Sequence, residues 1–147
     1  LHPIISRYLN EYTSGKGPKS PEELKREVLE TLSGNVALVS SNSARDILKE
    51  LGLDPRKIIA TGGPLFPEDF KVVNPNIPDS ALKGITRKCD RILNNLEEED
   101  WNEKDLIFIH DPKNEADKLI LNRLDQVSDR IGDQIIPFPI EDWDAFK

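Results

Sequence analysis

The stretch His110-Asp111-Pro112-Lys113-Asn114-Glu115 gathers two carboxylates, an imidazole and an ammonium into one short turn. An apolar run, Leu106 to Ile109, leads into it, and a helical pattern leaves it. Asp111 and Glu115, four residues apart, offer oxygen ligands of the kind that hold Mg²⁺. His110 offers an acid or base beside them. The same residues also have a structural reading. Asp111 would cap the helix, Pro112 would take its first position, and Glu115 would favour the helix dipole.

Two other polar turns follow apolar runs. Ser40-Ser41-Asn42-Ser43 follows Val36 to Val39 and opens a helix. Either Asn42 or Ser43 caps that helix, or the hydroxyls and free N–H groups hold an anion. The run lacks the glycines and the lysine of a phosphate-binding P-loop. Thr61-Gly62-Gly63 follows Lys57 to Ala60, and its paired glycines allow positive φ and close approach of a ligand or of another backbone. No CxxC, HExxH or Ser/His/Asp order supports zinc binding or nucleophilic catalysis.

The elements needed to position these turns are legible. Leu1 to Tyr12 has helical spacing, and Thr13 to Lys19 reads as a Gly- and Lys-rich linker. Ser20-Pro21-Glu22-Glu23 opens a second helix as a capping box. A strand (Val36 to Val39), a helix (Ala44 to Leu51) and a strand (Lys57 to Ala60) form a βαβ unit with a parallel pair. An irregular, proline-rich stretch then runs to Ile77, with Val72-Val73 as a short edge strand and Phe66 and Phe70 as its apolar anchors. A helix from Pro78 carries Leu82, Ile85, Cys89, Ile92, Leu93 and Leu96 on one face. Beyond the central strand and turn, Leu119, Ile120, Leu124, Val127 and Ile131 mark a single helix ended by Gly132. Gln134 to Phe138 is the last strand. The expected fold is α/β, a three-layer sandwich around a mainly parallel sheet of about four strands, preceded by two helices. Residues 1–34 form a helical extension and residues 35–147 the α/β domain.

Composition bounds the function. The chain has 147 residues and a net charge of −7, so nucleic acid is a disfavoured partner. The lone Cys89 sits on an apolar face and reads as an inert buried thiol. No apolar run is long enough to span a membrane and no signal peptide precedes the domain, so a cytoplasmic location is expected. The chain contains no Met, which suggests that Leu1 is not the natural start.

Taken together, the three turns resemble the Toprim domain of topoisomerases, primases and small RNA-processing nucleases. The segment VSSNSARDILKELGL, Val39 to Leu53, is similar to the Toprim strand that ends in Val-Glu-Gly and enters a helix. The segment IFIHDPKNEADKLILNRL is similar to the strand that ends in Asp-x-Asp. The resemblance covers about residues 35 to 140. It implies a Mg²⁺-assisted phosphodiester chemistry, but the motif residues are depleted. Ser40 stands for the catalytic Glu, Ser41 for the Gly and Lys113 for the second Asp, while Asp111 and Glu115 are kept. The expectation is therefore a degenerate, non-catalytic Toprim-like domain. It would bind a partner or a phosphate-bearing ligand through Ser40, Ser41, Asn42, Ser43, Gly62, Gly63 and Lys113, with no cofactor or Mg²⁺ held weakly by Asp111 and Glu115. The alternatives are a Mg²⁺-dependent nuclease or nucleotidyl-transfer enzyme assisted by His110, and a plain protein-interaction domain using the acidic surface and the Phe66/Phe70 loop.

Overall fold

A computed structural model of the chain describes residues 20–141 and 143–146. The expected first helix and the linker after it lie outside the described residues. Six α-helices and four strands follow in the order α1 (Pro21–Leu32), β1 (Val36–Val39), α2 (Asn42–Glu50), β2 (Ile58–Ala60), α3 (Pro67–Val73), α4 (Asp79–Glu98), β3 (Leu106–His110), α5 (Glu115–Asn122), α6 (Leu124–Ile131) and β4 (Ile135–Pro139). Short 3₁₀ turns at Pro55–Lys57 and Trp143–Phe146 complete the described chain. No helix among the described residues is long and apolar enough to cross a membrane.

The four strands form one parallel sheet in the order β2-β1-β3-β4. Strand side chains alternate between faces, so each strand feeds two cores. Ala37, Val39, Ile107, Ile109, Ile136 and Phe138 face α1 and α2, meeting Val28, Leu32, Ala44 and Leu48. Val36, Leu38, Leu106, Phe108 and Ile135 face the other way, onto Leu93 and Leu96 of α4, Ile120 of α5, and Leu124, Val127 and Ile131 of α6. The result is the three-layer α/β sandwich expected from the sequence. β3 is central and buried at every residue, which is why its sequence is uninterruptedly apolar up to His110.

β4 is one edge of this sheet. The Ile140 N–H donates to the His110 carbonyl at 2.8 Å, so residues of that parity face β3. By alternation the nitrogens of Ile135, Pro137 and Pro139 face outward. The Ile135 N–H is satisfied by the Ser128 hydroxyl at 3.2 Å.

Local chemistry sets the helix starts. The Ser20 hydroxyl accepts the Glu23 N–H at 3.2 Å, and Pro21 takes the first position of α1. Two expectations are corrected. The stretch after Gly63 is not irregular throughout, and Val72-Val73 is not an edge strand. Pro67-Glu68-Asp69 starts α3, and the two valines end it, exposed. The Arg123 guanidinium grips the buried Asp69 carboxylate through two bonds of 3.0 Å and lies 5.0 Å from the centre of the Phe66 ring. The helix after β3 is likewise not continuous. It breaks at Arg123 (φ −105°, ψ 0°), the residue committed to Asp69, into α5 and α6.

Candidate functional site

β1 passes into α2 on one face of the sheet, and β3 passes into α5 on the other. The connections therefore diverge between β1 and β3, and the carboxyl ends of these two adjacent strands form the crevice where open α/β sheets bind ligands. Three of the polar turns read from the sequence meet at this edge. Thr61 donates its N–H to the Val39 carbonyl at 2.9 Å, which sets the β2 turn beside Ser40, and His110 and Asp111 lie across from Ser40.

Ser40 is buried at the end of β1. Ser41 is the cap of α2, its hydroxyl accepting the Ala44 N–H at 3.1 Å. This corrects the expectation that Asn42 or Ser43 would cap. A Ser at that position is already extended (φ −133°, ψ 154°), as a cap must be, and Asn42 is already helical. Asn42 and Ser43 are exposed in the first turn.

The cap after β3 also differs from expectation. Asn114, not Asp111, caps α5, its side-chain oxygen accepting the Asp117 N–H at 3.0 Å. Glu115, not Pro112, is the first helical residue, and it is exposed. The Asp111 carboxylate folds back to accept the Lys113 N–H at 2.9 Å, a turn of the kind Asp makes with its own main chain. Its bond is to the Lys113 backbone rather than to the ammonium.

The group at the centre of the crevice is Asp117, which the sequence reading passed over. It is 4% exposed, and its Oδ2 accepts the Asp111 N–H at 2.7 Å. Its other oxygen is sealed from solvent without a well-aligned donor, the Ser40 hydroxyl being the neighbour that favours its charge. Burial raises the Asp117 carboxyl above the ordinary carboxylate range, and the Asp111 charge adds to this. The nearby Ser40 hydroxyl and the hydrogen bond from the Asp111 N–H oppose it. A signal existed. Asp117 stands at the head of the stripe Ile120, Leu124, Val127, Ile131, where an apolar residue is expected.

His110 is 5% exposed and stacks on Phe108, ring centres 5.2 Å apart and planes at 22°. Burial drives its imidazole down to about 4, against the pull of Asp111, so the ring is neutral at pH 7. Its Nδ1 is buried without a partner. Ser40, His110 and Asp117 are not wired as a proton relay, because the carboxylate contacts the serine and the Asp111 amide, not the histidine.

The glycines at the β2 turn are explained by the protein itself. Gly62 (φ +71°) is packed by the Lys88 ammonium, and a Cβ on Gly63 (φ +139°) would lie 2.8 Å from the Phe70 ring. A larger residue at Gly63 would collide with the Phe70 ring of α3, whereas at Gly62 the flexible Lys88 end can move and the positive φ is what favours glycine. Lys88 and Lys113 form no ion pair among the described residues. Both stand at this strand-end rim.

The donor set does not fit a resident Mg²⁺. Asp111 and Asp117 are committed to main-chain N–H groups, Glu115 is exposed, and among the described residues no three His, Cys, Asp or Glu side chains converge on a point.

Fold and site together define a doubly wound, all-parallel α/β domain whose strand-end crevice holds the buried Asp117 and His110, with Lys88 and Lys113 at its rim. The chain belongs to the SepCysE-like family, whose model matches residues 20–134. No curated protein and no solved structure matches it.

Proposed function

We propose that this is a non-catalytic, Toprim-like binding domain that takes a phosphate-bearing ligand on the rim of the strand-end crevice. The observation that carries the reading is the division of charge at that edge. Asp111 and Asp117 each accept a main-chain amide, while among the described residues Lys88 and Lys113 form no ion pair. The exposed first turn of α2, with Asn42 and Ser43, adds N–H groups and the positive end of the helix dipole. A phosphate held there needs no metal, since both lysines and the helix end supply positive charge.

The test is an amide NMR titration with ribose 5-phosphate, with ribose as the control. The phosphate ester is expected to shift the amides of Asn42 to Ala44 and of Lys113, and ribose is not. Lys88→Gln with Lys113→Gln is expected to weaken binding on the order of tenfold, the loss of about 1.4 kcal/mol. No shift at millimolar ester overturns the reading. Mg²⁺-dependent phosphodiester cleavage lost in Asp111→Ala would select the metal-dependent enzyme instead.

A further inference from the structure

A second concavity lies at the opposite, amino-terminal end of the sheet, and we propose that it binds a small flat aromatic molecule carrying one negative charge. The groove encloses about 370 Å³, the size of a small-molecule site. Its floor is apolar, made by Val36 at the start of β1, Ile59 of β2 and Leu96 near the end of α4. Trp101 forms a wall. Its Nε1–H donates to the Leu96 carbonyl at 2.9 Å, so the ring is fixed before any ligand arrives. A fixed indole beside apolar side chains selects a flat ring that can stack on it.

The rim sets the charge of the occupant. Asp54 is satisfied by the Arg56 guanidinium, with bonds of 3.0 to 3.3 Å. Glu99 is satisfied by the Lys104 ammonium, which also lies 5.9 Å from the Trp101 ring centre. Both acids on the rim are thus neutralised. Lys57 forms no ion pair, and the Asn95 side-chain amide has no protein partner among the described residues. What remains at the mouth is one surplus positive charge and one free amide, in a protein whose net charge is −7. Those two groups match a carboxylate on a ring seated against Trp101. The site shares no residue with the strand-end rim, so it stands or falls separately from the phosphate reading.

Three probes with one ring separate shape from charge: indole-3-acetate, indole and tryptamine, followed by amide and indole N–H NMR on the whole chain. Indole-3-acetate is expected to shift the Trp101 indole and Asn95 side-chain signals at concentrations at least tenfold below those tryptamine needs, with indole between them. Lys57→Ala changes an exposed side chain and keeps the core. It is expected to bring the acetate down to the level of indole. Equal binding of tryptamine and the acetate overturns the proposal, as does an acetate response that Lys57→Ala leaves unchanged. So does the lack of any Trp101 response at millimolar probe.

Discussion

Replacing His110 by phenylalanine removes a buried titrating ring while keeping a flat side chain to stack on Phe108. The loss can be worked from its environment. The imidazole titrates near 6.5 in an exposed chain and near 4 in the fold, because burial disfavours the cation. Between those values the unfolded chain binds more protons than the folded one, so stability falls as pH drops below 6.5 and the loss is complete at about 4. The full span is worth about 3 kcal/mol, of which about 2 kcal/mol is already lost at pH 5. Asp117 acts with the opposite sign. Its carboxyl is raised, so its contribution is greatest in acid and fades as pH rises through the window above 3.8. Both chains carry Asp117, and its effect cancels when they are compared. Urea unfolding at about pH 7.5 and about pH 5 gives the test. The wild type is expected to lose about 2 kcal/mol more than His110→Phe over that interval. Since Nδ1 has no partner, the variant forfeits no hydrogen bond there. Equal losses in the two chains would refute the claim that a neutral buried His110 is built into the fold.

Other substitutions probe the elements that shape the site. Arg123→Ala leaves the buried Asp69 carboxylate unpaired and is expected to cost about 3 kcal/mol in urea unfolding, with Asp69→Asn costing less; a change under about 0.5 kcal/mol would show that α3 is not held by this pair. Ser41→Ala removes the α2 cap and is expected to cost about 1 kcal/mol, whereas Ser43→Ala is expected to cost almost nothing; the reverse order would restore Ser43 as the cap. Gly63→Ala sets a Cβ against the Phe70 ring at a φ few other residues adopt, and a cost of about 1–3 kcal/mol is expected, measured as a lowered Tm. Cys89 is 2% exposed and its thiol is pushed up to about 11, first by burial and then by the Asp90 charge. Iodoacetamide at pH 8 is therefore expected to label it only in denaturant, and rapid labelling of the folded chain would contradict the packing of α4.

The sheet was readable because its two central strands are buried at every residue, which writes an unbroken apolar run into the sequence, and because Gly34, Gly52 and Gly132 mark the ends of helices with positive φ. The turn positions were readable for the same reason, since polar residues begin where a strand leaves the core. What escaped depends on contacts between distant segments. Arg123 interrupts a pattern that would otherwise run on as one helix, and its guanidinium is held by Asp69, 54 residues away. α3 had a local signal, Pro67 followed by two acids, but two β-branched valines and the surrounding prolines argued against it. At the candidate site the residue types were right and their roles were not. An Asp beside a Pro reads equally as a cap or as a ligand, and only the extended backbone at Asn114 decides for the latter residue as the cap. Asp117 was hidden because an acid in the first turn of a helix ordinarily needs no explanation beyond the dipole.

The outer margin of β4 has a consequence for how this protein behaves when concentrated. A parallel sheet grows by adding a strand to an open edge, and growth needs outward N–H donors there. Pro137 and Pro139 have none, and the Ile135 N–H is occupied by the Ser128 hydroxyl. Every outward nitrogen of β4 is thus withdrawn from the ladder. The margin keeps carbonyls but no available donor, so it cannot template an additional chain. Strand addition to the native sheet is disfavoured on that side, and among the described residues the other margin of the sheet is the three-residue β2.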